Sequence, residues 1–216
     1  MKRVLLIFIL LSVKFYAQTN SELGWLPKIT VSLPVSNSIK WVNSVEVREV
    51  VCDETIKFSH SLLDITSIIS VKTNLQQSLN FGYVHRFEKG ESIHRFLQQY
   101  NFITNINTLK VAHRLGFEQH IPTKENSFFR LRYRFALQKA LNGERTDVNE
   151  MYFKLGNEYV YNFNKESIEL RLSPYLGYKL SPKDKLELGI EYRGGNIIDV
   201  YDKHRWWIRT SWYISI

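Results

Sequence analysis

Two sets of residues have types and spacings that could do chemistry. The larger is a series of arginines and glutamates recurring at alternate positions: Glu46, Arg48, Arg86, Arg95, Arg114, Glu118, Arg130, Arg132, Arg134, Glu158, Glu169, Arg171, Glu187, Glu191, Arg193, Arg205 and Arg209. Such a set supplies either a buried ion-pair network or, because arginines outnumber glutamates, a surface that selects anions. The smaller set is His85, Ser92 and His94, which flank one turn at EKGE (88–91). A histidine base beside a serine is the minimum for a lipid-modifying hydrolase or acyltransferase. No nucleophile elbow and no HExxH pattern accompanies them, so no catalytic residue is assigned. His113 sits among apolar residues, and His120 and His204 fall where strands should end, as solvated histidines do. Cys52 is the single cysteine, which excludes an intramolecular disulfide and a zinc cluster. With no phosphate-cradling glycine loop and no nucleotide fingerprint, neither a metal nor a cofactor is expected.

The elements that position these residues follow from their parity. In FFRLRYRFALQ (128–138), Phe129, Leu131, Tyr133, Phe135 and Leu137 take one parity while Arg130, Arg132 and Arg134 take the other. Side chains alternate faces along a strand, whereas a 3.6-residue period would scatter the arginines around a helix. The same rhythm runs through LKVAHRLGFEQH (109–120), LNFGYVHRF (79–87), IHRFLQQYNFIT (93–104) and the segments near 153–161, 168–178, 186–193 and 205–216. Near the start, Ile29, Val31 and Leu33 alternate after a polar lead-in at 19–25, and 39–50 returns as a second strand. Residues 52–72 read either as a loop plus one long strand or as two strands reversing near Asp64. SPKD (181–184) is a turn signal and a further loop passes through Asp202. About eleven strands emerge, and termini on one side require an even number, so ten or twelve is expected.

Alternation does not say which face is wet. A soluble lipocalin-like barrel puts apolar residues inside, and an outer-membrane barrel turns them to lipid. The apolar parity is rich in aromatics, including Phe81, Tyr83, Tyr159, Tyr161, Tyr192, Trp206 and Trp212, as interfacial girdles need. Gly82, Gly116, Gly156, Gly177 and Gly189 share the charged parity, where a narrow bore would use them to admit long Arg and Glu side chains. Arginine at the lipid midplane costs roughly 2–4 kcal/mol each, so Arg130, Arg132 and Arg134 belong in the lumen. The expected fold is all-β: an antiparallel up-and-down transmembrane β-barrel of ten to twelve strands with an Arg/Glu-lined lumen. Side chains should largely fill it, with Arg114 and Glu118 facing the Arg130–Arg134 row, and Glu169 and Arg171 facing Glu187 and Glu191.

Residues 1–17 have the form of a cleaved export signal: Lys2 and Arg3, an apolar run from Val4 to Leu11, and Ala17 before Gln18. That leaves 18–216 as one barrel domain and lowers the formal charge from +8 to +5. The bases are dispersed through strands, so nucleic acid is not an expected partner. Expected partners are outer-membrane lipids and, during insertion, the barrel-assembly machinery. The pattern does not specify an oligomeric state.

Taken in order, HRFLQQYNF, HRLGFEQH, FRLRYRF and LELGIEYR resemble an uncharacterised family of bacterial outer-membrane β-barrels, itself a domain of unknown function. The resemblance runs from about Trp41 to the C-terminus and is clearest between His94 and Arg134. It implies an outer-membrane barrel in the bacterial cell envelope and brings no activity, cofactor or catalytic residue. The function expected is a structural or ligand-related barrel rather than an enzyme. The alternatives are an anion-selective pore or small-ligand cavity, a lipid-modifying enzyme, and a soluble periplasmic barrel.

Overall fold

The computed structural model describes residues 21–53, 55–196 and 204–216. The expected leader and the loop through Asp202 lie outside them. Eleven strands form among the described residues: β1 (Ser21–Pro34), β2 (Ile39–Asp53), β3 (Thr55–Lys72), β4 (Gln77–Glu88), β5 (Glu91–Ile106), β6 (Leu109–Pro122), β7 (Phe128–Ala140), β8 (Met151–Asn162), β9 (Ser167–Lys179), β10 (Asp184–Asn196) and β11 (His204–Ser215). Each pairs antiparallel with its sequence neighbours, and β1 closes the barrel on β11. The molecule is all-β, a closed up-and-down barrel.

Turn chemistry sets the hairpins. Between β4 and β5, Lys89 and Gly90 have φ of 52° and 77°, the paired left-handed conformation that matches strand twist in a two-residue hairpin. Between β9 and β10, the Ser181 hydroxyl accepts from the Lys183 and Asp184 amides and donates to the Asp184 carboxylate.

The alternation resolves with the apolar side outward. On β10, Leu186, Leu188 and Ile190 are exposed, while Glu187, Glu191 and Arg193 are 3–4% exposed on the lumen side. Phe81, Tyr133, Tyr159, Trp206 and Trp212 also face out. Polar tips on that surface are paired with one another. Tyr83 OH and His94 Nδ1 lie 2.6 Å apart, Tyr133 OH and His113 Nδ1 2.8 Å, and Tyr192 OH and His204 Nδ1 2.7 Å.

The structure corrects two expectations and decides between the two readings of a third. The strand number is eleven, within the expected range but odd, so β1 and β11 run parallel (Ser21 opposite His204, Ser32 opposite Ser215) and start and finish at opposite rims. Parity of strand number binds only when every pair is antiparallel, and one parallel seam lifts it. Second, of the two readings of 52–72 the single long strand holds: β3 is unbroken, with Asp64 inside it opposite Glu46 and Arg86. Third, residues 21–25 are already β1, because pairing to β11 recruits them despite their polarity. The strands run 12–18 residues.

Candidate functional site

The first rim carries the start of β1 and the turns β4–β5, β6–β7 and β8–β9. The second carries the turns β1–β2, β3–β4, β5–β6, β7–β8 and β9–β10 and the end of β11. A cavity of about 730 Å³ reaches the first rim, where Lys89, Glu91, Asn126 and Lys165 line it. Among the described residues, fourteen lysines and arginines line it against nine aspartates and glutamates, an excess of five positive charges. Sixteen of the seventeen residues singled out from the sequence are in this lining, and Glu187 lies beyond it.

Most of the lining charges are knitted together. Arg86 grips Asp64 with Nε and Nη2, both at 2.7 Å, and Arg95 reaches the same carboxylate at 3.5 Å. Arg132 bridges Glu118 (2.7 Å) and Glu158 (2.8 Å), and Arg171 links Glu158 (3.4 Å) to Glu169 (2.6 Å). Arg205 joins Glu169 at 3.3 Å. Across the barrel Arg209 bridges Glu191 (2.6 Å) and Glu46 (2.8 Å), with Arg193 on Glu191 and Lys28 3.7 Å from Glu46. With so little of each side chain exposed, each carboxylate needs such partners, since an unpaired buried ion is expensive.

Four lining arginines have no carboxylate of the described residues within ion-pair distance: Arg48, Arg114, Arg130 and Arg134. Arg48 lies over the buried Trp207 ring at 5.0 Å and Arg130 over Phe128 at 5.0 Å. Arg114 donates through Nε to Asn101 Oδ1 at 2.8 Å.

Toward the second rim the bore changes character. Past the deepest lining residues on β5 to β8 (Gln99, Arg114, Arg134 and Gly156) come the buried Asn80, Asn101, Tyr152, Tyr175, Glu187 and Ser211. Tyr152 donates to Glu187 Oε1 at 2.7 Å, Lys154 pairs with the same carboxylate, and its Nζ lies 4.4 Å from the Tyr175 ring centre. Side chains fill this half, and the first-rim half is a vestibule.

Register keeps one expected pairing and overturns another. Arg114 and Glu118 do face the arginine row, at Arg134 and Arg130, and Glu118 bonds diagonally to Arg132. Arg171 faces Arg193, and Glu187 partners Tyr152 and two lysines instead of an arginine. The lumen glycines mostly admit other groups than Arg and Glu. Gly177 lies under the Tyr152 ring, Gly189 under Tyr175 and Gly82 against Leu97 and Ile68, so only Gly156 makes room for an arginine, Arg134. His120 is no solvated strand end: it is 2% exposed, with Nε2 3.1 Å from Glu118 Oε2. Asp64, Lys28 and Lys154 were missed. Lys28 shares the lumen parity of Glu22 and Thr30, a signal hidden by the polar start of β1.

His85, Ser92 and His94 do come together, but on the outer face. His85 Nε2 is 3.3 Å from Ser92 Oγ, and the two imidazole rings stack at 4.9 Å. The second partner of His94 is the Tyr83 hydroxyl, and among the described residues no carboxylate bonds to either ring.

No curated protein matches the chain. Among solved structures it is similar to an anion-selective porin from Comamonas acidovorans, with 11% identity and a TM-score of 0.45 over 83% of this chain. The alignment spans 53% of the porin, about half its length. A family model described as "Protein of unknown function (DUF2490)" matches residues 23–198, most of the chain, and the protein belongs to that family.

Proposed function

We propose that the protein is a non-catalytic outer-membrane barrel that admits an anionic solute from its first rim into a blind vestibule, without conducting it across. The apolar exterior supports the membrane setting, because leucines, isoleucines and aromatics left exposed on a closed barrel find their solvent in lipid. The observation that carries the reading is the contrast along the bore: a cavity with five excess positive charges ends on a layer packed by Tyr152, Tyr175 and Asn101. Rings of arginine favour anions, and a bore without a continuous water path does not pass them.

His85, His94, His113 and His204 serve as girdle residues. Each pairs its polar tip with a tyrosine or serine, and among the described residues the Ser92 arrangement lacks an acid to orient the base.

The reading is tested on detergent-purified and membrane-inserted protein. We expect heat-modifiable gel mobility, recovery in the outer-membrane fraction, and small, sporadic currents in planar bilayers. Large, steady, anion-selective conductance would refute the blind vestibule, and recovery as a soluble periplasmic monomer would refute the membrane setting. Acyl release from phospholipid or lipopolysaccharide that disappears in His94→Ala would overturn the non-enzyme assignment.

A further inference from the structure

Arg114 and Arg134 are direct cross-strand partners on β6 and β7, so two like charges face each other at the deep end of the vestibule. Like charges in that arrangement are mutually destabilising unless something neutralises them. Among the described residues no carboxylate comes within ion-pair distance of either guanidinium, although the Glu158 charge lies near enough to offset part of the repulsion. Glu158, opposite Arg134 on β8, gives Oε2 to Arg132 and Arg171 instead.

The arginines are also held ready. Asn101 accepts from Arg114 Nε at 2.8 Å and is fixed by its own donation to Ser78 Oγ at 3.2 Å. That orients the Arg114 guanidinium, and among the described residues neither of its Nη groups has a hydrogen-bond partner. Space is kept beside the pair by Gly156, where a Cβ would come within 3.3 Å of Arg134 Nη2.

We propose that Arg114 and Arg134 form a phosphate subsite at the floor of the vestibule, for the phosphomonoester end of a soluble organic phosphate. This inference rests on the anion-admitting vestibule proposed above. Two guanidiniums without an ion-pair partner among the described residues match a phosphomonoester, whose charge near neutrality is about −1.5 to −2 and whose oxygens accept forked N–H pairs. A carboxylate would leave one positive charge unbalanced. The surrounding wall is mainly charged, which suits a hydrated ester rather than acyl chains.

The test is calorimetric titration of the refolded, detergent-solubilised full barrel with inorganic phosphate, glycerol 3-phosphate, acetate and dihexanoyl phosphatidic acid. Phosphate and glycerol 3-phosphate should bind. Arg114→Gln and Arg134→Gln should each weaken them about tenfold or more, the scale of a lost charge-assisted hydrogen bond. Without ligand, Arg134→Gln should unfold at the same or a higher urea concentration than wild type, because repulsion is relieved. Arg130→Gln, which removes a charge nearer the mouth, should weaken binding only slightly.

If Arg130→Gln weakens phosphate as much as Arg134→Gln does, binding follows overall charge; the subsite is then overturned while the vestibule stands. No anion binding in any arm sinks both. Acetate binding as tight as phosphate overturns the dianion assignment, and tighter binding of the phosphatidic acid moves the site to a lipid source.

Discussion

Glu118 holds more of the lumen together than any position around it on β6. It is 2% exposed and accepts from Arg132 at 2.7 Å, with His120 at 3.1 Å and Arg95 at 3.9 Å. Among the described residues, truncation leaves Arg132 with Glu158 alone and Arg95 with Asp64 alone. Fully orphaning a buried charge costs about 3–5 kcal/mol, and losing one of two partners costs part of that, less where water reaches it. Glu118→Ala should therefore lower the urea midpoint of the refolded barrel clearly. Glu88→Ala, which removes a half-exposed rim carboxylate from Arg86, should cost about 0–1 kcal/mol. Equal midpoints for the two variants would show that the lumen is too hydrated for pairing to matter. Membership of the charged face was legible residue by residue, because parity alone assigns it. Partnership was not: Glu118 was expected to meet the arginine row, yet its choice of Arg132 over the directly opposite Arg130 depends on twist and side-chain reach.

At the scale of elements, strands β4 to β11 were readable because inward and outward sets differ so sharply in polarity. β3 was not readable, because Leu62, Leu63, Ile65, Ile68 and Ile69 put apolar residues on both parities and so blur the alternation. Its inward Asp64 was lost with it. The tyrosine layer was equally hidden. Tyr152 and Tyr175 share a residue type with the outward girdle, and only the facing glycines Gly177 and Gly189 mark them as inward. Those glycines have a steric duty that substitution exposes. A Cβ at Gly177 would collide with the Tyr152 ring, whereas a Cβ at Gly116 would find ordinary contact distances. Gly177→Ala should thus destabilise by about 1–3 kcal/mol, as overpacking does, and Gly116→Ala should be near neutral. Denaturant midpoints of the two refolded variants decide it. Similar losses in both would point to backbone rather than to ring crowding.

The barrel as a whole depends on one seam unlike the rest. Ten contacts between neighbouring strands are antiparallel hairpin pairs that local turns can nucleate, but β1 and β11 join residues about 183 positions apart in parallel. Such a long-range pairing follows the local hairpins, since its loop-closure entropy is met only after they have formed. The seam also packs the buried Trp207 against Gly24 and sets Arg209, on β11, against Glu46 of β2. Closure therefore completes the cavity's charge network as well as its wall. Two engineered cross-links report its direction. Leu23 lies opposite Trp206 and Ile29 opposite Trp212, all four on the outer face, and adjacent strands bring Cα atoms into the 4.4–6.8 Å range of a disulfide. In a Cys52→Ser background, Leu23→Cys/Trp206→Cys and Ile29→Cys/Trp212→Cys should each oxidise to a cross-linked species with altered gel mobility. The offset is six residues in the same direction on both strands, which only parallel closure allows. An antiparallel seam would form at most one of the two, and Leu23→Cys would then pair toward the far end of β11. Neither cross-link forming in a heat-modifiable, folded sample would mean that the barrel closes elsewhere.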